Sequence, residues 1–145
     1  MRQYGIVFLA VVAMSLLTAM QAGADSIFWT GATGDWHEAL NWDNGIPADN
    51  DYVYIDNGGT AQMFADAESY YLYAGYNNSG AVEQTGGTNT VGGELHIGAS
   101  SATGIYNLGG GVLETQDLTI FGTLNITDSD ASLIISGNLT FKSSA

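Results

Sequence analysis

From residue 71 onward the chain alternates apolar and polar positions in short runs, separated by corners rich in Gly, Asn, Asp and Ser. In "ELHIG" Leu95 and Ile97 share one side of an extended backbone and His96 takes the other. That period of two predicts strands, and the small polar residues between runs predict tight turns. The pattern also recurs: Leu72, Leu95 and Leu118 stand 23 residues apart, and Leu139 follows after 21. Segments 71–93 and 94–116 superpose almost without gaps, Gly75 falling on Gly98 and Gly86-Gly87 on Gly109-Gly110. A third copy, 117–137, lacks the "ASSAT" loop, and "NLTF" (138–141) begins a fourth. Outside the first 24 residues no window has helical periodicity.

Repeats of twenty-odd residues mean solenoids. Leucine-rich repeats would need a denser leucine frame and an asparagine ladder, which this sequence does not supply. Each unit divides instead into three short strands, like "LHIG", "IYNL" and "VLETQ". The expected fold is therefore all-β: a right-handed parallel β-helix of about three coils over residues 69–145. Coils would stack at about 4.8 Å, so Leu72, Leu95, Leu118 and Leu139 should form an interior ladder, and Gln84 with Asn107 a polar one, either inward or on the surface. No single coil can bury its own apolar face, so the coils depend on one another.

Residues 25–68 do not show the repeat and are expected to form an N-terminal cap with the first strands. Their distinguishing feature is the stretch "FWTGATGDWHEALNWDNGIP", which holds all three tryptophans. It resembles the opening segment of bacterial exported β-helix proteins, namely autotransporter-type passengers and surface proteins built from autotransporter-associated repeats. The matching positions are Trp29, Gly31, Trp36, Asn41, Trp42, Gly45 and Pro47, then Asp51 and a strand at 52–56. The later "GG…LxIG…G" units match the repeats of the same proteins. The resemblance implies architecture and export; the autotransporter barrel and the sorting signal are not matched here, so anchoring is not implied.

The leader supports export. Arg2 precedes an apolar run at 6–20, short for a membrane span, and Ala22-Gly23-Ala24 offers a small-x-small cleavage pattern. Cleavage after Ala24 would release a chain needing no membrane insertion, in which fifteen acidic residues face Lys142 as the sole base. Nucleic acid and anionic membranes are recognised through Lys and Arg, so neither is expected as a partner. Cysteine is absent, so no disulfide reinforces the fold.

Few residues suggest chemistry. The tryptophans could cover an open solenoid end or offer flat faces to sugars, Trp36 and Trp42 being the carbohydrate candidates, and their spacing among glycines favours the cap. "HEALN" lacks the second histidine of a zinc-protease motif, Asn41 standing in its place. Asp43, Asp49, Asp51 and Asp56 crowd one stretch and could hold calcium, although turn-forming aspartates explain them equally well. No other cofactor is expected. A lyase would need basic residues that are missing, and nothing marks Glu94, Glu114 or Asp117 as a hydrolytic pair. Tyr71 and Tyr73 flank Leu72 and should face outward, beside Tyr70 and Tyr76, as a contact surface for glycan or protein; packing beneath residues 64–69 is the alternative.

The expected role is a secreted or cell-surface scaffold, adhesive or matrix-forming, without catalysis of its own. The alternatives are a carbohydrate-binding module, and the N-terminal part of a larger polysaccharide-active enzyme. "NLTFKSSA" stops within a coil, which raises the expectation of further coils or a C-terminal anchor in a longer chain.

Overall fold

The computed structural model describes residues 23–143, so the leader expected at 1–24 lies almost wholly outside the described residues. Alternation becomes strand wherever it was read. The strands are β1 (Ser26–Phe28), β2 (Thr33–Asp35), β3 (Tyr52–Ile55), β4 (Thr60–Met63), β5 (Ala67–Ser69), β6 (Tyr71–Ala74) and β7 (Gly80–Gln84). They continue with β8 (Thr88–Ile97), β9 (Gly104–Leu108), β10 (Val112–Ile120), β11 (Thr123–Ile126), β12 (Ser132–Ile135) and β13 (Leu139–Phe141). The single helical element among the described residues is a 3₁₀ turn at Ala39–Asn41.

All ladders between these strands are parallel, which defines a β-solenoid. One sheet runs β1-β3-β6-β8-β10-β12, with β5 joined to β8 and β13 to β10; the other runs β2-β4-β7-β9-β11. The long strands β8 and β10 round a corner. Asn89 and Val91 pair with β5, while Leu95 and Ile97 pair with β6, so each turn has three faces. The second sheet takes one strand from each turn and has five, so the solenoid has about five turns rather than three. Residues 25–68 supply the two extra turns. Their lengths differ from 23, which hid them from the repeat, yet Ile27 pairs with Val53 and Val53 with Leu72.

The interior leucine ladder forms and is longer than expected. Ile27, Val53, Leu72, Leu95 and Leu118 are buried in line, and Leu139 on the last turn is 49% exposed. Burying each such side chain contributes about 1.5–3 kcal/mol. At that last turn Leu124, Leu133, Leu139 and Phe141 line an open apolar groove of about 420 Å³.

The second half of each turn departs from the simple 23-residue match. Gly80 pairs with Gly104 and Gln84 with Leu108, an offset of 24. The extra residue lies in the loop between Gly98 and Gly104, and a bulge between Thr115 and Asp117 removes one again. Gly87 therefore matches Gly111, not Gly110, and both hold positive φ, at 68° and 75°. A Cβ at Gly111 would strike the Gly87 carbonyl oxygen, so two glycines stacked at one corner are a steric requirement.

The expected Gln84/Asn107 ladder is corrected by the same shift. Asn107 pairs with Glu83 on the surface and accepts from the Asn125 amide at 2.8 Å. Gln84 points inward, where its Oε1 accepts the Tyr106 hydroxyl at 2.6 Å and its amide donates to the Val112 carbonyl at 2.8 Å. The Asn89 amide donates to the Tyr106 oxygen at 2.8 Å, closing a polar trio inside the core. Burial pushes the Tyr106 phenol well above its ordinary value, against a smaller downward effect of Asn89.

Candidate functional site

The outer surface of the first sheet gathers most of the aromatic residues left outside the core. In β3 and β6 the buried positions alternate with outward tyrosines, and the parallel register stacks those tyrosines turn upon turn. Phe28 lies on Tyr54 with ring centres 4.8 Å apart, Tyr54 on Tyr73 at 4.8 Å and 6°, and Tyr73 on His96 at 5.1 Å. A second column stacks Tyr52 on Tyr71 at 5.1 Å. Tyr70 and Tyr76 flank the columns edge-on, Tyr70 at 86° to Tyr71 and Tyr76 at 63° to Tyr73. Packing of this kind contributes about 0.5–1.5 kcal/mol per pair beyond area burial.

Tyr71 and Tyr73 thus face outward, and residues 64–69 run on into β5 instead of covering them. Tyr73 is held between Tyr54 and His96, and Tyr71 has one face on Tyr52 with Tyr70 edge-on beside it, so little open ring face is left at either. The open aromatic area belongs to Phe28, Tyr70 and Tyr76, between 41% and 45% exposed. Burial, reinforced by Tyr54 and Glu94, pushes Tyr73 up to about 12; burial and then Tyr76 raise Tyr54. Beyond Tyr73 the wall turns polar. His96 Nε2 lies 3.0 Å from Glu94 Oε2, and the Thr119 hydroxyl donates to Glu94 Oε1 at 2.6 Å.

The tryptophans are elsewhere. Trp29, Trp36 and Trp42 are at most 5% exposed and pack edge-to-face, Trp42 lying 4.9 Å from Trp29 and 4.7 Å from Trp36. Trp36 and Trp42 therefore offer no face to a sugar: each indole is enclosed by the others and by the first turn. Gly31 and Gly34 make this possible, since a Cβ at either would fall 2.9 Å and 2.6 Å from the Asn41 carboxamide. Asn41 Nδ2 donates to the Asp35 carbonyl at 2.9 Å, a structural role for the residue that displaces histidine in "HEALN". Residues 42–43 bond back along β1, with Trp42 bridging Trp29 and the Asp43 carboxylate accepting the Phe28 N–H at 2.8 Å, and so cover that strand's outer edge.

The four aspartates do not converge. Asp43 serves β1, Asp51 accepts from the Asp25 and Ala48 N–H groups, and Asp56 accepts from Tyr76, Asn77 and Asn78 at the next corner. Asp49 joins none of these clusters. Among the described residues no three acidic or histidine side chains gather as a metal site. Asp51 and Asp56 satisfy backbone donors at turns, and Asp43 satisfies one on β1.

Sequence reading found Tyr71 and Tyr73 but missed Phe28, Tyr52 and Tyr54. The signal was present: "YVYI" and "YLYA" place tyrosines identically around an apolar residue, 19 positions apart. No protein-family model, no curated protein and no solved structure matches this chain.

Proposed function

We propose that this chain is a secreted or cell-surface β-solenoid scaffold that makes adhesive contacts through its exterior and performs no catalysis of its own. The observation that supports it is the aromatic wall: seven aromatic rings on one outer face, from Phe28 to Tyr76, on a sheet whose core is already filled by other side chains. Exteriors serving only solubility do not concentrate aromatics; contact surfaces do. An acidic surface with one base after leader cleavage keeps such a scaffold soluble outside the cell.

Two measurements test this reading. Expression of the full chain in an exporting bacterium should give an extracytoplasmic product beginning at Asp25; a cytoplasmic product retaining Met1 contradicts export. Beads carrying residues 25–145 should adhere to the surface of the producing cells, and beads indistinguishable from uncoated ones contradict adhesion.

A further inference from the structure

Beside the aromatic wall, where the first sheet rounds its corner, a groove of about 280 Å³ crosses three successive turns. Its lining comprises Thr90 and Gly92 from β8, Glu114 and Gln116 from β10, and Ile134 and Ser136 at the fifth turn. Thr90 pairs with Glu114 and Glu114 with Ile134, so the groove runs along the solenoid axis and meets equivalent positions about every 4.8 Å. Tyr70 stands at one end. A Cβ on Gly92 would lie 3.5 Å from the Tyr70 ring, so the missing side chain joins groove and ring in one surface. Ile134, 47% exposed, lies toward the other end, against 41% for Tyr70.

We infer that this groove binds an extended, neutral, β-linked hexopyranose chain. The inference rests on the scaffold reading for its extracellular setting and names the ligand of the wall's polar margin. Tyr70 is set edge-on to Tyr52 and Tyr71, so its plane lies across the stacked columns instead of within them. It can take the apolar face of a pyranose, which the stacked rings cannot. The side chains of Thr90, Glu114 and Gln116 spend no hydrogen bond on other described residues. They supply donors and acceptors in a row, as an extended chain of equatorial hydroxyls requires. Charge selects against acidic glycans: Glu68, Glu94, Glu114 and Asp117 share this surface, and beyond the leader Lys142 is the only Lys or Arg, with His96 already engaged by Glu94. A uronate or sulfate would meet like charge without compensation.

The test titrates residues 25–145 with cellohexaose and, in parallel, with a hexamer of galacturonate, following the heat of binding by calorimetry. Cellohexaose should bind and the uronate should not. Tyr70→Ala and Gln116→Ala should each weaken binding at least tenfold while the far-ultraviolet spectrum stays at the wild-type shape, Gln116→Ala doing so with Tm unchanged. Tyr76→Ala, at the opposite margin, should bind as wild type. Preference for the uronate, unchanged affinity in Tyr70→Ala and Gln116→Ala, or no binding of cellohexaose by the folded protein overturns the inference. Absence of glycan binding with bead adhesion intact leaves the scaffold reading standing; loss of bead adhesion removes that reading whatever the glycan does.

Discussion

The indole N–H of Trp42 donates to the backbone carbonyl of Trp36 at 2.7 Å, and the two rings meet edge-to-face within the first turn. This contact joins the two ends of the loop that covers β1, so the tryptophan stretch acts as a lid, and the surface aromatic chemistry belongs to the tyrosines instead.

Trp36→Ala should therefore be a stability lesion. Trp36 is fully buried, and truncating a buried tryptophan costs about 3–5 kcal/mol. Thermal denaturation followed by circular dichroism should show a large fall in Tm. A variant that melts at the wild-type temperature would show that the lid does not hold the first turn.

Glycine substitutions read the register directly. Gly111→Ala places a Cβ against the Gly87 carbonyl at a positive φ and should cost more than about 1 kcal/mol. Gly109→Ala meets nothing closer than 3.5 Å and should be close to neutral. Urea denaturation of the pair separates them, and the reverse order would restore the simple 23-residue alignment.

The buried trio should behave as a unit. Tyr106→Phe leaves Gln84 Oε1 and the Asn89 amide without their partner and should cost about 1–3 kcal/mol. Combining it with Gln84→Leu should cost less than the two single changes added together. Strict additivity in a denaturant double-mutant cycle would deny the coupling.

Alkaline pH provides a separate check. The folded state holds the Tyr106 proton above the ordinary phenol value of 10.0, while the unfolded chain releases it there. The contribution is complete below pH 10 and declines as pH rises toward the folded value, because the unfolded state then binds fewer protons. Stability should fall above pH 10, and Tyr106→Phe should flatten that fall. Absorbance titration should also find Tyr73 ionising near 12 in the folded chain. A single transition of all tyrosines at 10.0 with the fold intact would contradict both statements.

Much of this was legible in the sequence. The spacing of Leu72, Leu95 and Leu118 fixed the ladder because an interior position admits few residue types, and alternation around Leu72 correctly turned Tyr71 and Tyr73 outward. What escaped was length variation. A loop residue gained before Gly104 and one lost at the bulge after Thr115 cancel, so the period stays at 23 while the register between them shifts. That shift sets Gln84 beside Leu108 and Asn107 beside Glu83, so the two amides do not stack. The first two turns escaped for a similar reason: Ile27 to Val53 and Val53 to Leu72 span 26 and 19 residues, so no fixed period joins them. The corner groove was illegible because Tyr70 and Gly92 meet only across turns, and Thr90 and Glu114 resemble ordinary surface residues.

The central claim is that the exterior aromatic wall makes the adhesive contact. The most direct test is the force needed to detach single beads coated with residues 25–145 from the producing cells, compared with the triple variant Phe28→Ser/Tyr70→Ser/Tyr76→Ser. These three rings are each more than 40% exposed and outside the core, so the variant should keep its fold at the temperature of the measurement, with a lower Tm from the ring contacts it loses. The predicted result is a several-fold drop in detachment force at equal coating density. Equal forces for the two proteins would contradict the claim.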